Sequence, residues 1–224
     1  MIYLKKDNTD KIKKRYNRIA PIYDICESIM EKVIFSRWRK ALWEKIDDFN
    51  KQENKIKILE VGVGTGKNIP YYPKGAKVYA VDFSPEMLKI AEKKAEKYEK
   101  ELELIEMDIQ SLDFADDFFD VIVSTCVFCS VPDPIKGFQE LKRVCKPEGK
   151  IFLLEHMRSQ KEILGLLMDK LNWISYFLWG ANINRETKAN VKQTGLKIVE
   201  EKDLWLDIVK EIVLIINDNL HRDN

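Results

Sequence analysis

The chain has 224 residues, of which 45% are hydrophobic and 33% charged, so it can bury a substantial core and is not a disordered chain. Its 38 lysines and arginines against 37 aspartates and glutamates give a formal net charge of +1, which provides no overall field for nucleic acid. The sequence contains no stretch of roughly 18 apolar residues that could span a membrane, and four cysteines are too few for a secreted disulfide framework. We therefore expect a cytoplasmic protein that does not bind nucleic acid.

The predicted elements begin with a helical region over residues 7–50. Ile12, Tyr16 and Ile19 recur at helical spacing, and Pro21 is expected to break this first run. From residue 56 onward, strands and helices alternate. The predicted strands cover 56–61, 77–81, 102–107, 119–124, 149–155, 197–202 and 208–216, and the predicted helices between them cover 85–99, 134–145 and 162–179.

This alternation predicts a single α/β domain with right-handed crossovers, a mainly parallel sheet and helices on both of its faces. The last two strands are nearly contiguous, which favours an antiparallel hairpin at one edge. Residues 1–50 would form a helical cap beside the carboxyl end of the first strand, and residues 55–224 the core. Ligands of such sheets bind at the carboxyl ends of the strands.

The first strand runs into the stretch "LEVGVGTG", where Gly62, Gly64 and Gly66 remove side chains at a point of close backbone approach. Asp82 lies 20 positions after Gly62, the spacing of the ribose-binding acid in dinucleotide-binding units. The third glycine of that fingerprint would have to stand at Lys67, however, and the sequence contains no G-x-x-x-x-G-K-[ST] phosphate loop. The loop therefore indicates another kind of ligand.

Three carboxylates, Glu60, Asp82 and Asp108, come at the ends of the first three strands, and no arginine accompanies them. Such a rim repels a pyrophosphate and suits a ligand with hydroxyls, an amine and positive charge, as in S-adenosyl-L-methionine. We expect Asp82 to bind the ribose hydroxyls and Asp108, with the Ile109 backbone, to bind the adenine amine. Glu60 and the glycine loop would hold the amino-acid end.

Four motifs in order, "LEVGVGTG", "VDFSPEML", "MDIQSLDF" and "LKRVCKPEGKIFLLEH", resemble those of class I S-adenosylmethionine-dependent methyltransferases over nearly the whole chain. The resemblance implies a Rossmann-like seven-stranded sheet with its last strand antiparallel. It also implies that Phe83 and Met87 flank the adenine.

Four further stretches resemble particular groups within that family. "YNRIAPIYD" resembles the N-terminal signature of quinone-biosynthesis C-methyltransferases and bacterial phospholipid N-methyltransferases, in which Tyr16 and Tyr23 would close over the cofactor. "TCVFCSVPDP", "LEHMRS" and "WGANINRET" resemble bacterial relatives of the methyltransferase-like thiol methyltransferases. The predicted cofactor-binding residues are Tyr16, Tyr23, Glu60, Gly62, Gly64, Thr65, Gly66, Asn68, Asp82, Phe83, Met87, Asp108, Ile109 and Cys126.

The expected reaction is methyl transfer to a small hydrophobic acceptor, either a phospholipid amine or a quinone ring, with a thiol as the alternative. His156, at the end of a predicted strand, is the candidate base, or else a structural histidine. Cys129, in a lone C-x-x-C with Cys126, is a candidate contact for the acceptor, or else fills the core. This pair lacks the second ligand pair of a metal site, and no metal is predicted.

The predicted substrate-binding residues are Trp179, Asn182 and Arg185. Asn182 and Arg185 would anchor the acceptor's polar group, and Asn184 either assists them or caps the next helix. The preceding helix "EILGLLMDKLNWISYFLWG" is apolar around most of its circumference, so it is either buried in the core or forms a lid that admits an apolar acceptor from a membrane surface. The basic stretch "KIKKRYNR" is either a solvated face or a second contact with anionic lipid. A donor-binding sensor and a nicotinamide oxidoreductase are the alternative functions.

Overall fold

The computed structural model describes residues 2–30, 34–53 and 56–216. Within them the elements are α1 (Ile2–Met30), α2 (Ser36–Glu53), β1 (Lys57–Val61), a 3-10 turn (Ile69–Tyr71), β2 (Lys77–Asp82), α3 (Pro85–Lys97), β3 (Leu102–Glu106), β4 (Phe119–Thr125), α4 (Pro134–Val144), β5 (Cys145–His156), α5 (Glu162–Trp179), α6 (Thr187–Lys192), β6 (Leu196–Trp205) and β7 (Val209–Ile216). The strands form a seven-stranded sheet in the order β3-β2-β1-β4-β5-β7-β6. The predicted fold class is confirmed.

The chain divides into two compact units, Met1–Asp108 and Ile109–Asn224, called unit one and unit two below. The single-domain organisation stays a prediction. In unit one, β1 pairs parallel with β2, and β2 pairs parallel with β3. Most residues of β1 and β2 are buried, which explains why these strands read as nearly continuous apolar runs. Since parallel strands end at a common edge, the glycine loop and Asp82 meet there.

Helix α1 continues through Pro21, so the predicted break at this residue is wrong. A proline inside a helix removes one backbone hydrogen bond and costs about 3 kcal/mol. Contacts on both sides of it oppose that cost: Tyr16 packs against Phe83 before the proline, and Asp24 binds Lys94 after it. Tertiary contacts within unit one therefore outweigh the local preference.

In unit two, β4 and β5 are parallel, whereas β7 runs antiparallel to both β5 and β6. The predicted terminal hairpin and antiparallel last strand are confirmed. Strand β5 begins at Cys145 rather than at the predicted residue 149, because Cys145 already pairs with Phe119 of β4. The strand ends at His156, opposite Val209.

Helix α5 has the predicted bounds, and Gly180 ends it in the left-handed conformation at φ 74°. The interpretation of α5 as a buried core helix is wrong, because its large apolar side chains are exposed: Ile163 by 86%, Trp173 by 68% and Phe177 by 73%. Among the described helices, none has the length and apolar character to cross a membrane.

Candidate active site

The glycine loop after β1 has positive φ at each of its glycines. Gly64 lies at φ 54° and Gly66 at φ 77°, a region that other residues enter at a cost. A Cβ added to Gly66 would lie 2.5 Å from the Ile69 side chain, so Gly66 packs against the protein. A Cβ added to Gly64 would meet the Gly62 carbonyl oxygen at 4.0 Å as its nearest protein atom. Gly64 therefore leaves room for a ligand.

Asp82, at the end of β2, links the glycine loop to the start of α3. Its carboxylate accepts hydrogen bonds from the backbone N–H of Gly64 at 2.8 Å and of Ser84 at 2.9 Å. Ser84 in turn caps α3 by accepting from the Met87 N–H. Burial raises the pKa of Asp82 to about 6, although the hydrogen bonds from the backbone lower it. Each carboxylate oxygen has a second lone pair with which it can accept a ligand hydroxyl.

Glu60 and Asn68 are engaged within the protein. The Glu60 carboxylate accepts from Asn68 Nδ2 at 2.7 Å and from the Tyr72 hydroxyl, and Arg39 Nη1 donates to Asn68 Oδ1 at 3.0 Å. Burial raises the pKa of Glu60 to about 7. The expectation that no arginine accompanies the carboxylates is wrong for Glu60, because Arg39 of α2 binds Asn68 beside it and its charge favours the Glu60 carboxylate. This network holds the glycine loop from inside, and binding of the donor by Glu60 or Asn68 stays a prediction.

Helix α1 also contacts the glycine loop. Thr65 Oγ1 donates to the Asp24 carboxylate at 2.6 Å, and Lys94 Nζ of α3 donates to its other oxygen at 2.7 Å. Burial opposes ionisation of Asp24, but the hydrogen bonds from Lys94 and Thr65 outweigh it and lower the pKa of Asp24. Sequence analysis did not select Asp24 or Lys94, although Asp24 closes the quoted stretch "YNRIAPIYD".

Three predicted aromatic residues of unit one lie close together. The ring centroid of Tyr16 is 5.6 Å from that of Phe83 and 6.3 Å from that of Tyr23. Met87, by contrast, is fully buried. Tyr16, Phe83, Gly64 and Asp82 offer two aromatic rings, a side-chain-free backbone and a carboxylate. This set of groups fits a nucleoside with a ribose diol. Asp108, predicted to bind the adenine amine, lies just beyond β3 and is half-buried, and its role stays a prediction.

In unit two, the turn after β4 is held by Glu155, which sequence analysis did not select as a site residue. Glu155 Oε1 accepts from the Ser124 hydroxyl at 2.8 Å and from the Val127 N–H at 2.9 Å. Its Oε2 is buried without a hydrogen-bond partner among the described residues. Burial raises the pKa of Glu155 to about 7. Cys126, in the same turn, adopts φ 56°, an unusual backbone conformation for a cysteine.

Cys129, Ile109 and His156 also lie in unit two. The Cys129 thiol donates to the Cys126 carbonyl at 3.4 Å, and burial raises the pKa of Cys129 to about 12. Such a thiol is protonated at neutral pH and is a poor nucleophile. Ile109 is buried, and His156 is half-buried at the end of β5. The roles predicted for these residues stay predictions.

The polar residues predicted to bind the acceptor donate instead to the protein's own backbone. Arg185 donates from Nε to the Phe128 carbonyl at 3.0 Å and from Nη2 to the Val131 carbonyl at 2.9 Å. The Asn182 N–H donates to the Cys129 carbonyl at 2.8 Å. These bonds fasten the segment after α5 to the turn after β4, within unit two.

Two further predictions concern this segment. The alternative that Asn184 caps the next helix is wrong, because Glu186 holds the N-cap position of α6 while Asn184 Nδ2 donates to Asp169 at 3.0 Å. The side chain of Trp179 lies outside the described residues.

Comparison with known proteins agrees with this fold and loop. Residues 59–153 match a family model described as a methyltransferase domain. The chain is 32% identical over 170 residues to thiol S-methyltransferase TMT1B of Rattus norvegicus, covering 72% of this chain and 68% of that protein. It is 36% identical over 130 residues to phosphatidylethanolamine N-methyltransferase of Cereibacter sphaeroides, covering 54% and 64% respectively. Demethylmenaquinone methyltransferase of Lactobacillus johnsonii is 27% identical over 235 residues, with 92% and 91% covered.

Among solved structures, an S-adenosylmethionine-dependent methyltransferase from Aquifex aeolicus shares the fold with a TM-score of 0.57 at 20% identity, covering 78% of this chain and 89% of that one. The glycine loop and the acid at the end of β2 lie at the carboxyl edge of a seven-stranded sheet, the edge at which such folds bind nucleosides. This chain belongs to the S-adenosylmethionine-dependent methyltransferases. Its methyl donor is S-adenosyl-L-methionine.

Proposed function

We propose that the enzyme methylates a small hydrophobic acceptor, either a phospholipid amine or a quinone ring. One observation carries this proposal: the polar side chains on one face of α5 and in the segment after it bind the protein itself, while the large apolar side chains on the other face of α5 are exposed. The side chains of Arg185 and Asn182 donate to backbone carbonyls, and Asn172 Oδ1 accepts from the Ile183 N–H at 2.9 Å. A segment built in this way offers contact area to an apolar molecule and few polar groups to a hydrophilic one.

Similarity supports the same choice. Two of the relatives described above carry names with apolar acceptors, phosphatidylethanolamine and demethylmenaquinone. The rat relative is named for a thiol, so an apolar thiol is the second candidate acceptor.

The donor supplies a methyl group on a sulfonium, which is already activated for displacement. The protein's task is therefore mainly to align the reactants and exclude water. We propose that Asp82 binds the ribose diol and that Tyr16 and Phe83 enclose the nucleoside. The acceptor atom forms a bond to the methyl carbon as the carbon–sulfur bond breaks, and the donor leaves as a neutral thioether. For an acceptor that must lose a proton, we propose the His156 imidazole as the base.

The test is transfer of a labelled methyl group to paired acceptors presented in nonionic micelles. The pairs are phosphatidylethanolamine with glycerophosphoethanolamine, demethylmenaquinone with its tail-less ring, and a long-chain alkyl thiol with cysteine. We expect transfer to the apolar member of one pair and little to its hydrophilic partner. Equal or preferential transfer to a hydrophilic member would refute the proposal, and the pair that reacts identifies the acceptor atom.

A further inference from the structure

Helix α5 has its polar side inward and its apolar side outward. Gly165, Asp169, Asn172 and Ser175 follow one another at spacings of three or four residues, so they form one stripe along the helix. Each polar residue of this stripe binds another residue of unit two. Asp169 pairs with Arg158 at 2.8 Å. Asn172 accepts from the Ile183 N–H, and Ser175 donates to the Ala181 carbonyl at 2.9 Å. This stripe is the inner face of α5.

The inner face also fixes how the helix is rotated. A Cβ added to Gly165 would lie 2.8 Å from the Ser159 carbonyl oxygen, so the backbone of α5 lies directly against the chain that precedes it. Rotation of α5 about its axis would break the Arg158–Asp169 pair and the Asn172 contact together. The outward direction of the opposite face is therefore built into unit two.

That opposite face is the outer face of α5. Its exposed apolar side chains include Ile163, Leu166, Leu167, Trp173, Phe177 and Leu178, with exposed fractions from 49% to 86%. Contiguous apolar patches on monomeric soluble proteins rarely exceed a few hundred Å². A helix that presents six such residues on one side is typical of an interaction surface rather than of a solvated face.

The charge at the centre of the outer face indicates the partner. Glu162, also exposed, lies at the edge of this face, one turn before Leu166. Lys170 lies one helical turn from Leu166 and Leu167 on one side and from Trp173 on the other, and it is exposed. The acid beside it, Asp169, belongs to the inner face and is held by Arg158 and Asn184. A lysine within an apolar face complements an anionic lipid surface, because its methylene chain stays in the apolar layer while its ammonium reaches the phosphates.

A second copy of the chain fits this face less well. Two outer faces packed centre to centre would bury two Lys170 ammonium groups. The carboxylate at the edge of the face, Glu162, lies eight residues away, about 12 Å at 1.5 Å per residue, so the burial is costly. Trp173 also suits the boundary between lipid and water, since its indole is apolar with one polar N–H. The helix is about 27 Å long at 1.5 Å per residue, enough to lie in that boundary. A helix that is apolar on one side and polar on the other binds a membrane parallel to its surface.

We propose that the outer face of α5 docks the enzyme on an anionic lipid bilayer, with the helix parallel to the surface and Lys170 on the lipid phosphates. This inference concerns where the enzyme works and goes beyond the acceptor proposed above. Its test needs neither donor nor acceptor, so its failure leaves the acceptor proposal standing. Failure of the micelle assay, in turn, leaves docking standing.

The experiment is flotation of the purified full chain with vesicles of phosphatidylcholine alone or with 30 mol% phosphatidylglycerol, about 30% being enough to give a strongly negative surface. We expect binding to the anionic vesicles and at least about tenfold weaker binding to the neutral ones. The double variant Trp173→Ser/Phe177→Ser should lose at least about tenfold in binding to anionic vesicles, because it removes two inserted rings. Lys170→Glu should weaken binding to anionic vesicles more than to neutral ones, and Lys170→Arg should preserve it.

The matched control is Trp205→Ser, the same substitution at a tryptophan of unit two that is 54% exposed but lies on β6. It should bind vesicles as the natural chain does. Circular dichroism and donor binding show that each variant is folded. Three results would overturn the proposal: no binding of the natural chain to anionic vesicles, equal loss in the Trp205→Ser control, or a concentration-dependent dimer in sedimentation that the double variant abolishes while vesicle binding is absent.

Discussion

The Asp82 carboxylate accepts a hydrogen bond from the Gly64 N–H over 2.8 Å, so the end of β2 and the glycine loop are held together. The same carboxylate binds the Ser84 N–H at the start of α3. One buried acid thus fixes the backbone positions at which the donor is expected to bind. This geometry makes Asp82 the first residue to test.

Asp82→Asn should weaken binding of S-adenosyl-L-methionine by about 1–3 kcal/mol, since it removes the charge from an acceptor of ligand hydroxyls. Because the pKa of Asp82 is about 6, donor affinity of the natural chain should also fall as the pH drops below that value. Isothermal titration from pH 5 to pH 8 measures both effects. The control is Asp48→Asn, at an exposed position of α2. An unchanged affinity in Asp82→Asn would contradict the assignment.

Gly64→Ala should abolish donor binding, because its Cβ projects into the space that the loop leaves for a ligand. Gly75→Ala is a matched control: Gly75 also has positive φ, at 81°, and its added Cβ meets nothing within 4 Å. Both variants should lose about 1–2 kcal/mol of unfolding free energy from backbone strain. Chemical denaturation and donor titration separate the two effects. Equal donor affinity in the two variants would show that Gly64 is a conformational requirement alone.

Asp24→Asn should loosen α1, since the carboxylate holds Thr65 of the glycine loop and Lys94 of α3. Amide protection across α1, measured by hydrogen exchange at pH 6, should fall in this variant. The folded-state pKa of Asp24 is lowered, so the stabilisation is present above its ordinary pKa of 3.8 and is lost as the pH falls through the lower folded value. Glu44→Gln, which removes an exposed pair on α2, is the control and should leave α1 protected.

Glu155→Gln should change stability in a pH-dependent way. The folded-state pKa of Glu155 is raised to about 7 from 4.5, so its favourable contribution is present below pH 4.5 and is lost as the pH rises through 7. The amide carries no charge to bury, and its oxygen can still accept from Ser124 and Val127. Denaturation midpoints of the variant, relative to the natural chain, should therefore rise between pH 5 and pH 8. A difference that stays constant over this range would contradict the raised pKa.

His156→Ala should lower kcat about 10²-fold if the imidazole is the base, while the affinity for the donor stays unchanged. The pH–rate profile of the variant should lose the limb that reports deprotonation of the base. A histidine with a purely structural role at the end of β5 would instead reduce the unfolding midpoint and leave the shape of the profile intact. Turnover at several pH values, together with thermal unfolding, tells the two roles apart.

Much of the fold could be predicted because the local patterns agree with it. Helix α5 has the predicted bounds, and the antiparallel hairpin of β6 and β7 follows from two strands with only a short turn between them. The prediction at Pro21 was wrong because Tyr16 and Asp24, on either side of it, contact Phe83 and Lys94, which are distant in sequence. Propensity alone carries no information on such contacts.

The candidate site could be predicted where a residue's place at the end of a strand determines its role, as for Asp82 and Gly64. It was not predictable where side chains meet across elements. Arg39 joins Glu60 through Asn68 from a helix far upstream, and no spacing rule indicates this. Likewise Arg185 is a plausible anchor for an acceptor by residue type, yet in the fold it reaches three carbonyls of the turn after β4.

The clamp formed by Arg185 restricts how this enzyme can diverge. Exchanging that guanidinium to suit a new acceptor would release the Phe128, Cys129 and Val131 carbonyls at the same time, so such a change carries a penalty in folding. Substitution of the exposed side chains of α5 releases no comparable set of buried hydrogen bonds. We therefore expect acceptor preference to change during evolution through substitutions of exposed residues of α5, while Arg185 is retained.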